Sequence, residues 1–175
     1  PYSIGTRYGH ADAIFMNESV RAAGLWGSYG NLYPASAVWG LDQKLAVTKI
    51  GGYFHYTDKV NGIGYRMNVI NAFSADETLL CRAEAYALNN QLDLAVADIN
   101  VWLKSHTKNQ IQVSLQDIVD FYSSKSYMPL VVADVKERTI KKEINPQGFT
   151  VAEGDQENVI QCILHLRRIE TVHEG

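Results

Sequence analysis

The chain has 175 residues, 46% apolar and 20% charged, with 16 basic and 19 acidic side chains and a formal net charge of −3. That length supports one domain burying roughly 70% of its unfolded surface, and the composition is that of a folded chain, not a disordered one. The charge balance argues against a nucleic-acid binder, no apolar run reaches the ~18 residues of a membrane-spanning helix, and Cys81 and Cys162 are too few for a disulfide framework or a thiolate zinc site.

Composition changes near residue 70. Ten of the 13 glycines and seven of the ten tyrosines lie within residues 1–65. Residues 1–70 carry a net charge of +2 and residues 71–175 one of −5. The first part reads as a loop-rich aromatic segment with short strands, the second as a helical scaffold. In chain order, Ala13, Met16 and Val20 place a helix over 12–23, stopped by Gly24. The Gly-rich run 24–34 fits neither regular structure. Two β-like runs, Leu45–Ile50 and Tyr53–Tyr56, parted by Gly51-Gly52, suggest a hairpin.

Ser74-Ala75-Asp76-Glu77 is a capping box that opens a helix striped by Leu79, Leu80, Ala83, Tyr86 and Ala87. Asn89-Asn90-Gln91 breaks the stripe, and Leu92, Ala95, Val96, Ile99, Trp102 and Leu103 resume it on a second helix. Leu79, Ala83, Tyr86 and Ala95 match the large, small, tyrosine and alanine positions of a tetratricopeptide hairpin over about 74–105. Arg82 and Trp102 depart from that pattern, which usually has Leu and Ala there. A third helix is expected from Ser114, where Ser114 and Asp117 repeat the cap. Asn145-Pro146-Gln147-Gly148 marks a turn, and a last helix runs from about Asp155 to the end of the chain. The fold class expected is therefore mainly α, with tetratricopeptide-like helical hairpins beside an irregular aromatic loop region. One such hairpin cannot bury its apolar face alone, so the helical part is expected to be a truncated portion of a longer parent.

Enzyme motifs are absent. Gly62-Ile63-Gly64 starts a dinucleotide fingerprint, but Met67 stands at the third glycine position. His10 with Asp12 and His55 with Asp58 are pairs too common by chance to indicate a metal, so neither metal nor cofactor is expected. His165 and His173, eight apart on the last helix, are expected as surface or interface residues, and Glu170 is expected to pair with Arg167 at i, i+3. Carboxylates are numerous, yet nothing singles out a catalytic pair. The informative feature is aromatic: Trp26, Tyr29, Tyr33 and Trp39 fall within fourteen residues of loop-like sequence. Rings on loops suit the C–H face of a sugar or a peptide side chain. Covering about 50 Å² of one ring contributes on the order of 1–1.5 kcal/mol. These four are the candidate ligand-binding residues.

The stretch Tyr56–Tyr65 and the following Phe73-Ser74-Ala75-Asp76-Glu77-Thr78-Leu79-Leu80-Cys81-Arg82-Ala83-Glu84-Ala85-Tyr86 resemble the SusD/RagB family. Lys142–Pro146 and Ile163-Leu164-His165-Leu166-Arg167-Arg168-Ile169-Glu170-Thr171-Val172-His173-Glu174-Gly175 are similar to that family's "I-L-x-E-R-R-I-E-x-x-x-E-G" helix, with Leu166 where Glu is common. The likeness covers about residues 50–175, and 1–50 more loosely. It implies a non-catalytic, lipid-anchored protein of the outer-membrane surface that captures oligosaccharide or polysaccharide and delivers it to a SusC-like TonB-dependent transporter. On this expectation the chain is an interior-to-late portion of its parent, and its only membrane link is an anchor carried elsewhere. Two other readings stay open: the same scaffold capturing peptides, and a repeat module that mediates protein–protein contacts alone.

Overall fold

A computed structural model describes residues 10–11, 17–33, 38–41, 44–47, 52–68 and 73–171. Among these the chain is helix-rich with small sheets. Strands β1 (His10–Ala11), β2 (Val38–Leu41) and β3 (Lys44–Val47) form an antiparallel sheet ordered β1-β3-β2, and β4 (Gly52–Asp58) pairs with β5 (Ile63–Asn68). Helices α1 (Ala75–Leu88), α2 (Leu92–His106) and α3 (Leu115–Ser123) follow. Two-residue strands β6 (Tyr127–Met128) and β7 (Lys141–Lys142) pair in parallel, and α4 (Asp155–Thr171) is the last described element.

The helices begin where local chemistry starts them. Ser74 Oγ accepts the Glu77 N–H at 3.0 Å, and Asp76 and Glu77 place negative charge in the positive first turn of α1. Asn90, at φ 59°, turns the chain between α1 and α2. Ser114 and Asp117 complete a reciprocal capping box on α3. Asn100 in α2 clamps the loop ahead of that cap, donating to the Val113 carbonyl at 2.9 Å and accepting the Val113 N–H at 2.8 Å.

α4 lies at the centre and packs against α1, α2 and α3. Val159, Ile163, Leu166 and Ile169 enter one continuous core with Leu80, Ala83, Ile99, Trp102, Ile118 and Tyr122. Because neighbours surround it, several of its polar side chains are buried too, and most of these find partners there. Gln156 donates to the Ala87 carbonyl at 2.9 Å, and Gln161 both donates to and accepts from the Lys142 backbone. His165, expected at the surface or in an interface, is in fact fully buried inside the chain's own core, because its position on α4 faces Trp26 and Tyr122. The expected Arg167–Glu170 pair also gives way: Arg167 reaches Glu84 on α1, and Glu170 accepts from Trp102 Nε1. Arg168 donates to the Ile140 carbonyl and to the Glu18 carbonyl. The residues of the last motif therefore clamp α4 to its surroundings.

The early segment 17–33 is stitched into the same core. Glu18 is buried and bonded to Arg138 and to Lys142 Nζ (2.5 Å). Burial opposes ionisation, but these two cations hold its carboxyl below the usual carboxylate range. The helix expected over 12–23 does not extend to 23, since 18–22 form turns and bends. Residues 12–16 lie outside the described residues.

The expected pairing of the two β-like runs is also corrected. β3 pairs with β1 and β2, whereas β4 turns back on β5. Asp58 decides this: its carboxylate accepts the Val60 N–H (2.9 Å), the Asn61 N–H (3.1 Å) and the Asn61 side-chain amide (2.6 Å), which closes a tight turn into Asn61-Gly62.

Candidate functional site

The four rings expected to hold ligand separate in the structure. Trp26 is 1% exposed and leaves the candidate set: its indole packs beside His165 (centroids 5.4 Å) and Trp102 (6.3 Å). Gly24 makes that possible, because a Cβ there would overlap the Trp26 ring. The Gly-rich loop thus folds its tryptophan inward. Tyr29 opens a 3-10 turn (Tyr29–Asn31) and Tyr33 lies just past it; they are 43% and 51% exposed, in the same order. The Arg21 guanidinium covers the Tyr29 ring at 5.3 Å. Trp39 has its backbone in β2, and its side chain lies outside the described residues.

A denser aromatic surface stands on the β4–β5 hairpin, where Tyr53, Phe54, Tyr56 and Tyr65 are 46% to 60% exposed. The register sorts them by face. Phe54 opposes Arg66 and Tyr56 opposes Gly64, while Tyr53 opposes Met67 and His55 opposes Tyr65. On the first face Phe54 and Tyr56 meet edge to face with centroids 4.8 Å apart. A Cβ at position 64 would overlap the Phe54 ring and the His55 carbonyl, so Gly64 is what lets Phe54 lie across the partner strand. On the second face His55 and Tyr65 lie 5.3 Å apart. An isolated two-stranded hairpin gains little from packing, and rings left this open suit contact with something outside the chain. These residues were not among the four expected from sequence. The signal that could have found them is a D-x-x-N-G turn between two aromatic runs.

Two polar constellations complete the survey. A cleft of about 610 Å³ is rimmed by Glu143, Glu153, Glu157 and Tyr127, whose hydroxyl donates to Glu157. Elsewhere three helix ends converge: Asp76 from the first turn of α1, His106 from the last turn of α2 and Glu170 from the last turn of α4. His106 Nε2 lies 2.9 Å from Glu170 and 3.9 Å from Asp76. Its ring stacks flat on Trp102, centroids 4.2 Å and planes 1° apart. Burial alone would lower the His106 pKa, but Glu170, helped by the Trp102 carbonyl and Asp76, outweighs it and carries the imidazole above its ordinary value. Among the described residues this is the group of three metal-capable side chains whose ligand atoms all lie within 4.8 Å of one another.

The two cysteines differ sharply. Cys81 is exposed on α1, and Cys162 is buried on α4, where burial pushes its thiol up to about 12.

No family model, curated protein or solved structure matches the chain.

Proposed function

We propose that the chain is a non-catalytic, cell-surface glycan-binding module of the SusD/RagB kind, which hands oligosaccharide to a TonB-dependent transporter of the outer membrane. The observation that carries this reading is the β4–β5 hairpin, with Tyr53, Phe54, Tyr56 and Tyr65 open to solvent on its two faces. Flat apolar rings with a polar rim fit the C–H faces of pyranose units. Tyr29 and Tyr33 add two exposed rings elsewhere on the chain.

The helical part is proposed as a tetratricopeptide-like unit that serves as scaffold. In support, Ala83 and Ala95 are both fully buried, Tyr86 packs partly buried against the core, and α1 lies along α2. The two departures from that repeat pattern each have a local task. Arg82 grips Asp98 across the helix pair through two bonds of 2.8 and 2.7 Å, and Trp102 fills the space beneath α4.

The test is a binding panel of polysaccharides, oligosaccharides and peptides against the purified protein, with calorimetry on any positive. Glycan binding that persists at high salt supports the reading, since the contacts are neutral. Binding of peptides alone transfers the hairpin to the peptide-capture reading.

A further inference from the structure

From the convergence of three helix ends we propose a divalent metal site, of the zinc class, held by Asp76, His106 and Glu170. Three observations carry it. The first is the ligand set. One imidazole and two carboxylates offer three donors within 4.8 Å of one another. Donors on one tetrahedral zinc lie about 3.3 Å apart for bonds near 2.0–2.1 Å. His106 Nε2 and Glu170, at 2.9 Å, need open only slightly, and Asp76, 3.9 Å from Nε2 and within 4.8 Å of Glu170, must move in. Asp76 is also the most exposed member, its side chain 46% exposed against 15% for His106 and 11% for Glu170, which leaves it room to change rotamer.

The second observation is orientation by outer partners. His106 Nδ1 lies 3.0 Å from the Trp102 carbonyl and 2.8 Å from Ser105 Oγ. An Nδ1–H donated to that carbonyl leaves Nε2 as the atom aimed at the carboxylates, which is how metal-ligating histidines are commonly fixed. The Trp102 indole supports the ring from below and donates Nε1–H to Glu170 at 2.9 Å. One tryptophan thus positions two of the three ligands.

The third is access. Three protein donors leave the fourth tetrahedral position for water on the Asp76 side, which faces solvent. Any proton on Nε2 leaves to solvent as the ion binds, and two carboxylates and one neutral imidazole then neutralise its charge. The site ties the start of α1 to the ends of α2 and α4 and is separate in composition from the aromatic hairpin, so it stands whether or not the hairpin binds glycan.

The experiment is zinc titration of the metal-free protein, by calorimetry and by metal analysis after dialysis, repeated with cobalt for its visible absorption. One equivalent of zinc per chain is expected. Affinity should fall about tenfold or more in both Asp76→Asn and His106→Gln, and cobalt should give the absorption of a four- or five-coordinate site in the wild type alone. Asp76 is half-exposed in a first turn, so Asp76→Asn keeps the test decisive if His106→Gln folds poorly. Absence of zinc binding at tens of micromolar would overturn the proposal and leave the cluster as a histidine–carboxylate bridge. Equal binding by the wild type and Asp76→Asn would overturn it too, because the zinc would then sit on other histidines.

Discussion

Acidification should unfold this protein through His165. The imidazole is fully buried on α4, with the Tyr122 hydroxyl 3.0 Å from Nδ1 and the Trp26 ring beside it. Burial, with added repulsion from the Arg168 guanidinium and slight opposition from the Ser19 backbone, lowers its pKa to about 3. Tyr122 and Cys162, the other titratable groups beside it, stay neutral, both raised by burial. Unfolding restores an ordinary value near 6.5. The folded state therefore holds fewer protons than the unfolded one, and the stabilising effect is full above about pH 6.5. It is lost as pH falls from there toward about 3, at about 1.4 kcal/mol per pH unit. Between pH 7 and pH 4.5 the loss amounts to about 2.5 kcal/mol, a large part of the ~5–15 kcal/mol that holds a typical domain folded. Glu18 loses stability in the same direction at lower pH, so the measurement must isolate His165. Urea unfolding of the wild type and of His165→Gln at several pH values does this, since Glu18 titrates in both. The difference between the two proteins should shrink by about 2.5 kcal/mol on going from pH 7 to about 4.5. Parallel stability profiles would refute the buried neutral histidine.

Three further outcomes are expected. Ala83→Leu should destabilise by about 1–3 kcal/mol in urea unfolding, because Ala83 is fully buried in α1 where the helices pack; a neutral result would contradict close packing there. In the native protein a thiol reagent should label Cys81 quickly and Cys162 only after denaturation, read by mass spectrometry, since Cys162 is buried and its thiol stays protonated to about pH 12. Gly64→Ala should open the β4–β5 hairpin while leaving the helical unfolding midpoint unchanged, seen as lost cross-strand NMR contacts, because the added Cβ overlaps the His55 carbonyl and the Phe54 ring.

The helical part was the more legible in sequence because its signals are local. The caps at Ser74 and Ser114, the break at Asn89–Gln91 and the apolar stripes each act within a turn or two of the residues that carry them. What periodicity could not show is how many sides of α4 are covered. Its Gln156, Gln161, His165 and Glu170 are polar and spread round the helix, yet each is buried by a different neighbour. Trp26 failed for the same reason: glycines at 24 and 27 signal a loop, but whether the ring turns outward depends on Trp102 and His165, 76 and 139 residues away. The strand pairing turned on Asp58, whose side chain closes the turn through three bonds that no count of β-formers registers. The convergence of Asp76, His106 and Glu170 spans 94 residues and exists only once three helices are packed.

The proposed role of the aromatic hairpin is tested most directly by calorimetric titration of the best-binding glycan into the wild type and into Phe54→Ala, Tyr56→Ala and Tyr65→Ala, with Tm measured on the same samples. These rings are exposed, so Tm should hold while each loss of ring contact weakens glycan affinity by roughly 5- to 12-fold, the equivalent of about 1–1.5 kcal/mol. Unchanged affinity in all three variants would contradict the account.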